Sequence, residues 1–259
     1  MKLQAFFLIL SLLYMEKSET MKSNPELSTS IQRSNFHIEK VSNKEIAREK
    51  YIKLITYIEN DNIEKIKEMI SLEIGDSNKE ILDIHDKYGH TPLWLAAKKC
   101  NLDIMQQLLK GSADANTKNK RKEPLLINLL RKCSLRDSTK FEMVKLLLEY
   151  GADPKIKTKD FDSSLIAAIK GLKDEKIRFE VVKLLLEKDR SIIDQTGFGG
   201  KTPYQYANIH RSKNPTYSVM KLMAKYGGID HDENLKELRG TNKIEYFLNN
   251  LFLSEDKQI

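Results

Sequence analysis

The apolar residues of this chain recur at helical spacing in short paired runs, beginning near Glu45. A first apolar stripe ends at a polar break over residues 59–62, and a second stripe follows the break directly. Spacings of three and four residues place side chains on one face of a helix. The pattern therefore predicts a short helix, a tight turn and another short helix. The first stripe contains Ile46, Tyr51, Leu54, Ile55 and Ile58, and the second contains Ile63, Ile66, Met69 and Ile70.

The same helix pair recurs along most of the chain. Further pairs begin at Thr91, Pro124, Ser163 and Thr202. Equivalent positions lie 32 residues apart from Thr91 to Glu123, 40 from Glu123 to Ser163 and 39 from Ser163 to Thr202. Such a period is typical of a solenoid, in which each repeat buries its apolar face against its neighbours. The sequence thus predicts an all-α solenoid of about five repeats.

Two segments resemble the ankyrin repeat. The run from Asp86 to Ala97 is similar to the family's T-P-L-H-x-A motif, with Trp94 where the family has histidine. The run from Leu146 to Asp153 is similar to the family's helix end and exit turn. The resemblance covers about residues 45–230. It implies an ankyrin-like repeat domain with short linking hairpins that project side by side, and a protein-interaction function.

The ends of the repeated helices carry residues suited to those positions. Thr91 can cap a helix by accepting a backbone N–H, and Pro92 loses nothing at the first helical position because that N–H is unpaired anyway. Ala96 and Ala97 are small where two helices pack closely. Gly151 and Gly227 suit the left-handed residue that ends a helix.

Two repeats depart from this pattern. Glu123 and Ser163-Ser164 stand where the other repeats have Thr-Pro. The same two repeats are longer by several residues, near Cys133–Lys140 and Gly171–Ile177. We expect these extra residues to lengthen the loop between the paired helices. The first repeat lacks the Thr-Pro entry and is expected to act as a polar cap of the stack.

The regions outside the repeats have their own character. Residues 1–20 contain an apolar run from Leu3 to Met15, which has the length of a signal-peptide core but lacks a small-residue cleavage site. It is too short to span a bilayer, which needs about 20 apolar residues. Residues 21–44 are polar and are predicted to form a linker. Residues 231–259 contain a final apolar stripe, from Ile244 to Phe252, that predicts a C-terminal capping helix or, alternatively, a docking helix.

Charge is concentrated in the middle of the chain. Residues 117–160 contain 12 basic and 6 acidic side chains. Seven of these cations fall in two predicted hairpins, which would bring them to one edge if the hairpins project side by side. An acidic protein surface is the predicted partner, and a solvated loop is the simpler interpretation. Nucleic acid or phospholipid is less favoured because, apart from Phe161, aromatic residues do not alternate with the cations. The seven are Lys118, Lys120, Arg121, Lys122, Lys155, Lys157 and Lys159.

Other motifs carry little chemistry. Gly200-Lys201-Thr202 resembles the end of a phosphate-binding loop, but Gln195 stands where that motif needs glycine. The five histidines have no metal-ligand spacing. Cys100 and Cys133 fall one repeat apart, farther than a disulfide allows. No catalytic residues, cofactor or metal site can be identified.

The sequence therefore favours a non-catalytic protein-interaction module or scaffold. Two alternatives remain: an exported effector that engages a host protein, and a non-catalytic subunit that positions an enzyme. The N-terminal apolar run leads us to expect an exported protein, with the cytoplasm as the alternative location because the two thiols are predicted to be unpaired.

Overall fold

A computed structural model of the chain describes residues 44–74, 79–132, 135–160, 162–210 and 217–227. The chain divides into two compact units, Met1–Ile52 and Lys53–Ile259. In the first unit, residues 44–52 are helical. The predicted N-terminal segment, most of the predicted linker and the predicted helix within 231–259 lie outside the described residues. Everything that follows concerns the second unit.

The second unit consists of successive helix pairs, as the periodicity predicts. Short 3-10 segments occupy Lys79–Asp83, Arg190–Asp194 and Phe198–Gly200, and a π-helical turn covers Met69–Ile74. Across the described ranges there is no β-strand, only an isolated bridge between Lys118 and Pro124. The all-α fold class is thereby confirmed. The helices are α1 (53–59), α2 (Ile63–Glu68), α3 (Pro92–Lys98), α4 (Leu102–Lys110), α5 (Leu125–Arg131), α6 (Asp137–Glu149), α7 (Ser164–Gly171), α8 (Glu175–Lys188), α9 (Pro203–His210) and α10 (Tyr217–Lys225).

The first helix of each later pair begins at a side-chain cap where the sequence provides one. Thr91 Oγ1 accepts a hydrogen bond from Trp94 N at 3.3 Å, and Ser163 Oγ accepts one from Ile166 N at 3.4 Å. The third repeat differs from our expectation, because Pro124 rather than Glu123 occupies the capping position and makes no side-chain cap. The spacing from Thr91 to the equivalent residue of the third repeat, Pro124, is therefore one residue longer than the sequence analysis gave. This corrected spacing matches the usual 33-residue period.

Stacking of the pairs forms two layers of helices with a continuous apolar core. The inner helices α5, α7 and α9 pack in succession, and so do the outer helices α2, α4, α6, α8 and α10. Ala96 and Ala97 are fully buried, and Leu147 is buried in the middle of α6. The small residues predicted at close helix contacts are thus confirmed as buried.

The extra residues of the third and fourth repeats mostly lengthen the outer helices, so the expectation of longer loops is wrong for the fourth repeat. In the third repeat, five residues rather than three separate the paired helices. α6 has 13 residues and α8 has 14, whereas α4 has 9. The segment 172–174, between α7 and α8, is no longer than 99–101, between α3 and α4. The added residues form an additional helical turn at the start of each outer helix. In the described ranges, no helix is long and apolar enough to cross a membrane.

Candidate functional site

Four hairpins lie between successive helix pairs and form what we call the hairpin edge. They cover residues 86–90, 119–123, 158–162 (residue 161 is outside the described ranges) and 197–201. Each is closed by a backbone hydrogen bond between its first and fifth residues, as from Asp86 N to His90 O at 2.9 Å and from Gly197 N to Lys201 O at 2.8 Å. The linking hairpins implied by the ankyrin resemblance are therefore present.

The first two hairpins are held by the same side-chain device. Asp86 Oδ1 accepts hydrogen bonds from the backbone N–H groups of Tyr88 and His90, both at 2.8 Å. Asn119 Oδ1 likewise accepts from Arg121 N at 2.9 Å and from Glu123 N at 3.0 Å. A short acceptor at the first position satisfies two turn donors at once, which is why Asp and Asn favour such turns.

Neighbouring hairpins lie side by side. Lys120 N donates a hydrogen bond to Tyr88 O at 3.2 Å, so the first two hairpins are in direct contact. Between the third and fourth repeats, Lys157 Nζ donates to Thr196 O at 3.0 Å and Gln195 Nε2 donates to Lys155 O at 3.2 Å. The second and third hairpins, which carry the predicted cations, are linked through Arg131, whose guanidinium lies 3.3 Å from Glu123 and 3.7 Å from Asp162.

The seven predicted cations fall into two groups along this edge. Lys155 forms an ion pair with Asp189 at 2.9 Å, and Lys157 is half-buried through its bond to Thr196 O. Hydrogen bonds from Lys155 and Ser191, with a smaller contribution from the Lys155 charge, lower the pKa of the Asp189 carboxyl to about 2, and Asp189 in turn raises the pKa of Lys155. The other five are exposed and form no ion pair with any described residue: Lys118, Lys120, Arg121, Lys122 and Lys159.

Sequence reasoning missed three residues of the hairpin edge. Lys87 occupies the same hairpin position as Lys120 and Lys159, and its ammonium lies 5.0 Å from the ring centre of Tyr88. Tyr88 is 59% exposed and Phe198 is 76% exposed. Aligning the hairpins position by position would have found Lys87. The exposure of the two aromatic residues could not be read from the sequence.

The inner helices next to the hairpin edge carry a row of charges that pair with one another. Arg131 on α5 lies 3.3 Å from Glu123 and 3.7 Å from Asp162. Lys170 on α7 lies 3.4 Å from Asp162, and its ammonium stands 5.5 Å from the ring centre of Tyr206 on α9. Most of this charge is thus neutralised within the molecule, unlike the charge of the hairpin edge.

A second charged cluster lies at the connections between paired helices and is buried. Lys140 on α6 is 1% exposed, and its Nζ donates to Gly171 O at 3.1 Å and lies 3.2 Å from Asp137. Arg178 is at the equivalent position of α8, is fully buried and donates to Leu172 O and Lys173 O. Both side chains satisfy backbone carbonyls just where α7 ends. The cluster is structural, and it stabilises the additional helical turns.

The carboxylate of this cluster is held in its charged form. Burial opposes ionisation of Asp137, but Oδ2 accepts hydrogen bonds from Asp174 N and Lys173 N, both at 2.7 Å. Together with the Lys140 ammonium, these donors hold the pKa of Asp137 below its ordinary value. Burial lowers the pKa of the Arg178 guanidinium.

The remaining sequence motifs have local structural roles. Thr202, in the motif that resembles a phosphate loop, caps α9 by accepting from Gln205 N at 3.3 Å. His90 stacks on Trp94 with ring centres 5.4 Å apart. Cys100 is a free thiol, and Cys133 lies outside the described residues. Within the described ranges, no group of three or more His, Cys, Asp or Glu side chains could hold a metal ion.

The stacked helix pairs and projecting hairpins define a helical-repeat protein, and comparison with known proteins specifies the repeat. The family model for the ankyrin repeat matches residues 88–120, which extend from the first hairpin through α3 and α4 to the second. An ankyrin repeat protein of Fowlpox virus (strain NVSL) is 25% identical over 174 residues, covering 54% of this chain and 28% of that relative. The ankyrin resemblance is therefore confirmed: residues 88–120 match the ankyrin repeat, and the chain is similar to an ankyrin repeat protein over about half of its length. It spans well under two thirds of the length of the relative that it matches.

Proposed function

We propose that this chain is a non-catalytic protein-interaction module whose hairpin edge binds an acidic surface of another protein. The ankyrin repeat is an architecture for binding proteins, and fold alone does not select the partner. The observation that supports this choice of surface is the set of five exposed cations, Lys118, Lys120, Arg121, Lys122 and Lys159, which have no ion-pair partner among the described residues.

The energetics favour these cations over the neighbouring charges. A cation that is already paired within the molecule must exchange one partner for another, so it adds little to association. An unpaired cation gains a new interaction and also raises the rate of encounter with an acidic surface. Arg131 and Lys170 on the inner helices are already paired, with Glu123 and Asp162, whereas the five exposed cations of the hairpin edge are not.

Charge reversal with a matched control tests this proposal. Lys120→Glu, Arg121→Glu and Lys122→Glu together should abolish capture of the partner from native extract, scored by quantitative mass spectrometry against the unaltered chain. The control reverses Lys110, Lys145 and Lys176, which are exposed on the outer helices and change the net charge by the same amount. Equal loss with both triple variants, or no loss with either, would contradict a specific role for the hairpin edge.

The dependence on salt gives an independent readout. Interactions between exposed charges are screened over about 8–10 Å at physiological ionic strength. The association rate with the captured partner should therefore fall as salt rises, and the hairpin variant should have lost most of this dependence. Binding that is insensitive to both salt and charge reversal would leave the hairpin cations as a solvated surface.

Two narrower functions remain proposals of the same kind. The chain would act as an exported effector if the apolar run Leu3–Met15 directs its export, or as a positioning subunit if the captured partner is an enzyme. N-terminal sequencing of the native protein from separated cell fractions distinguishes them. Recovery of a chain beginning at Met1 or Met21 from the cytoplasmic fraction would contradict export.

A further inference from the structure

Building on the proposed function, we infer that the hairpin edge binds an extended acidic segment of its protein partner with an apolar side chain at each end. Tyr88, on the first hairpin, receives one apolar side chain, and Phe198, on the fourth hairpin, receives the other. The exposed cations of the second and third hairpins contact the acidic residues between them. The inference concerns the shape and chemistry of the partner segment, which the proposed function leaves open.

The two aromatic side chains are the first ground for this inference. Tyr88 is 59% exposed and Phe198 is 76% exposed, and they occupy the first and last of the four hairpins. Scattered exposed apolar residues are common on proteins. Here they bracket a cationic surface, since Phe198 takes the hairpin position that is lysine in the other three, namely Lys87, Lys120 and Lys159. The first and fourth hairpins therefore each present an exposed aromatic residue, with the exposed cations between them, while Phe161 of the third hairpin lies outside the described residues.

The backbone of both aromatic residues is hydrogen-bonded to other parts of the fold. Tyr88 O accepts the hydrogen bond from Lys120 N, and Tyr88 N donates to Asp86 Oδ1. Phe198 O accepts a hydrogen bond from the Tyr206 hydroxyl at 3.0 Å. Binding to anchors on fixed backbone costs little conformational entropy, which makes exposed aromatic residues effective at interfaces.

The spacing of the hairpins sets the length of the segment. Neighbouring helices pack about 8–10 Å apart, so three repeats separate the two anchors by about 24–30 Å. An extended chain advances about 3.3–3.6 Å per residue. About seven residues should therefore lie between the two apolar side chains of the partner.

The charge pattern favours a peptide over nucleic acid. Single-stranded nucleic acid is bound by aromatic residues on which successive bases stack, and these alternate with cations along the groove. Here Tyr88 and Phe198 lie at the ends, and the sequences of the two hairpins between them contain a single aromatic residue, Phe161, so aromatic residues and cations do not alternate. Asp160, which is exposed, also lies among the cations and would repel a continuous row of phosphates. A peptide can place its carboxylates to avoid Asp160.

Synthetic peptides provide the test, with the full chain as receptor. Each peptide carries phenylalanine at both ends and alternating glutamate and serine between, with about three, seven or fifteen intervening residues. Dissociation constants are measured by fluorescence anisotropy at low and physiological salt. We expect the tightest binding at about seven residues.

Tyr88→Ser and Phe198→Ser should each weaken binding of the seven-residue-spaced peptide about tenfold. Neither variant should much change binding of a peptide with serine at both ends. Tyr150→Ser, which removes an exposed aromatic residue at the end of α6, is the matched control.

The outcomes separate this inference from the proposed function. The aromatic variants could bind all peptides as tightly as the unaltered chain while the reversals of Lys120, Arg121 and Lys122 weaken binding. In that case Tyr88 and Phe198 are not anchors, but the proposal of an acidic partner is unaffected. If the charge reversals have no effect, the proposed function fails. Three results would each overturn the inference. They are no binding of any peptide at low salt, affinities that do not depend on peptide length, and tighter binding of oligo(dT) than of every peptide.

Discussion

Lys140 and Arg178 show how a charged residue can be buried without a dedicated function. Each reaches from the extra turn of an outer helix to backbone carbonyls where α7 ends, and Asp137 supplies a nearby negative charge. Sequence reasoning placed Lys140 in an inserted loop because its neighbours are polar. The buried position of Lys140 could not be predicted from its neighbours, because the carbonyl to which it donates, Gly171 O, lies 31 residues away in the next repeat.

Replacing Lys140 tests the buried cluster. Lys140→Met keeps most of the aliphatic stem but leaves Gly171 O without its donor and Asp137 without its cation. We expect a loss of about 2–3 kcal/mol in the free energy of unfolding, because Asp137 keeps its two backbone donors. Lys145→Met, at an exposed position of the same helix, should cost less than about 0.5 kcal/mol. Comparable losses for the two variants in urea denaturation would mean that Lys140 is solvated.

Asp137 predicts a specific dependence of stability on pH. Its folded pKa lies below its ordinary value, so its contribution is complete above about pH 5 and is lost as pH falls through the lower folded pKa. Asp137→Asn should therefore be less stable than the unaltered chain at neutral pH. Urea midpoints should fall less steeply for the variant between pH 5 and pH 3, so that the difference narrows. Parallel curves for the two proteins would contradict an ionised, hydrogen-bonded Asp137.

Helix and hairpin features could be predicted from the sequence where they depend on neighbouring residues, and were missed where they depend on residues in another repeat. The cap at Thr91 and the small residues Ala96 and Ala97 follow from short motifs, and all were found. The cap at Ser163 was not predicted, because Ser163-Ser164 was treated as a departure from the Thr-Pro pattern. The starting position of α5 was misplaced because Pro124 has no side-chain acceptor to mark it. The internal contacts of Lys155 and Lys157 were missed for another reason, since both partners belong to the next repeat.

The contact between the first two hairpins can be tested at Gly89. Its φ is +79°, and a Cβ there would collide with the backbone N of Lys120. Gly199 is the matched control, with φ of +73° and open space around it. Both alanine substitutions incur the left-handed strain of about 1–2 kcal/mol, but Gly89→Ala should also separate the hairpins. We expect a clearly lower melting temperature for Gly89→Ala than for Gly199→Ala. Equal melting temperatures would show that the two hairpins do not touch.

At the scale of the whole molecule, the stack brings together residues that are far apart in sequence. Lys87, Lys120 and Lys159 reach one edge because the repeat places every hairpin at an equivalent position. The period could be read from the sequence, and so could the concentration of positive charge in residues 117–160. The sequence could not distinguish cations paired within the molecule from those left exposed, because that depends on how neighbouring repeats pack.

The most direct test of binding through the hairpin edge is a lysine footprint of the chain bound to the partner that it captures. Each lysine is acetylated with limiting reagent in the free and bound states, and its modification is measured by mass spectrometry. If the partner binds the hairpin edge, Lys118, Lys120 and Lys122 should be protected from acetylation in the complex. Lys110, Lys145 and Lys176 on the outer helices should react equally in both states. Protection of the outer-helix lysines with unchanged reactivity of the hairpin lysines would contradict binding through the hairpin edge.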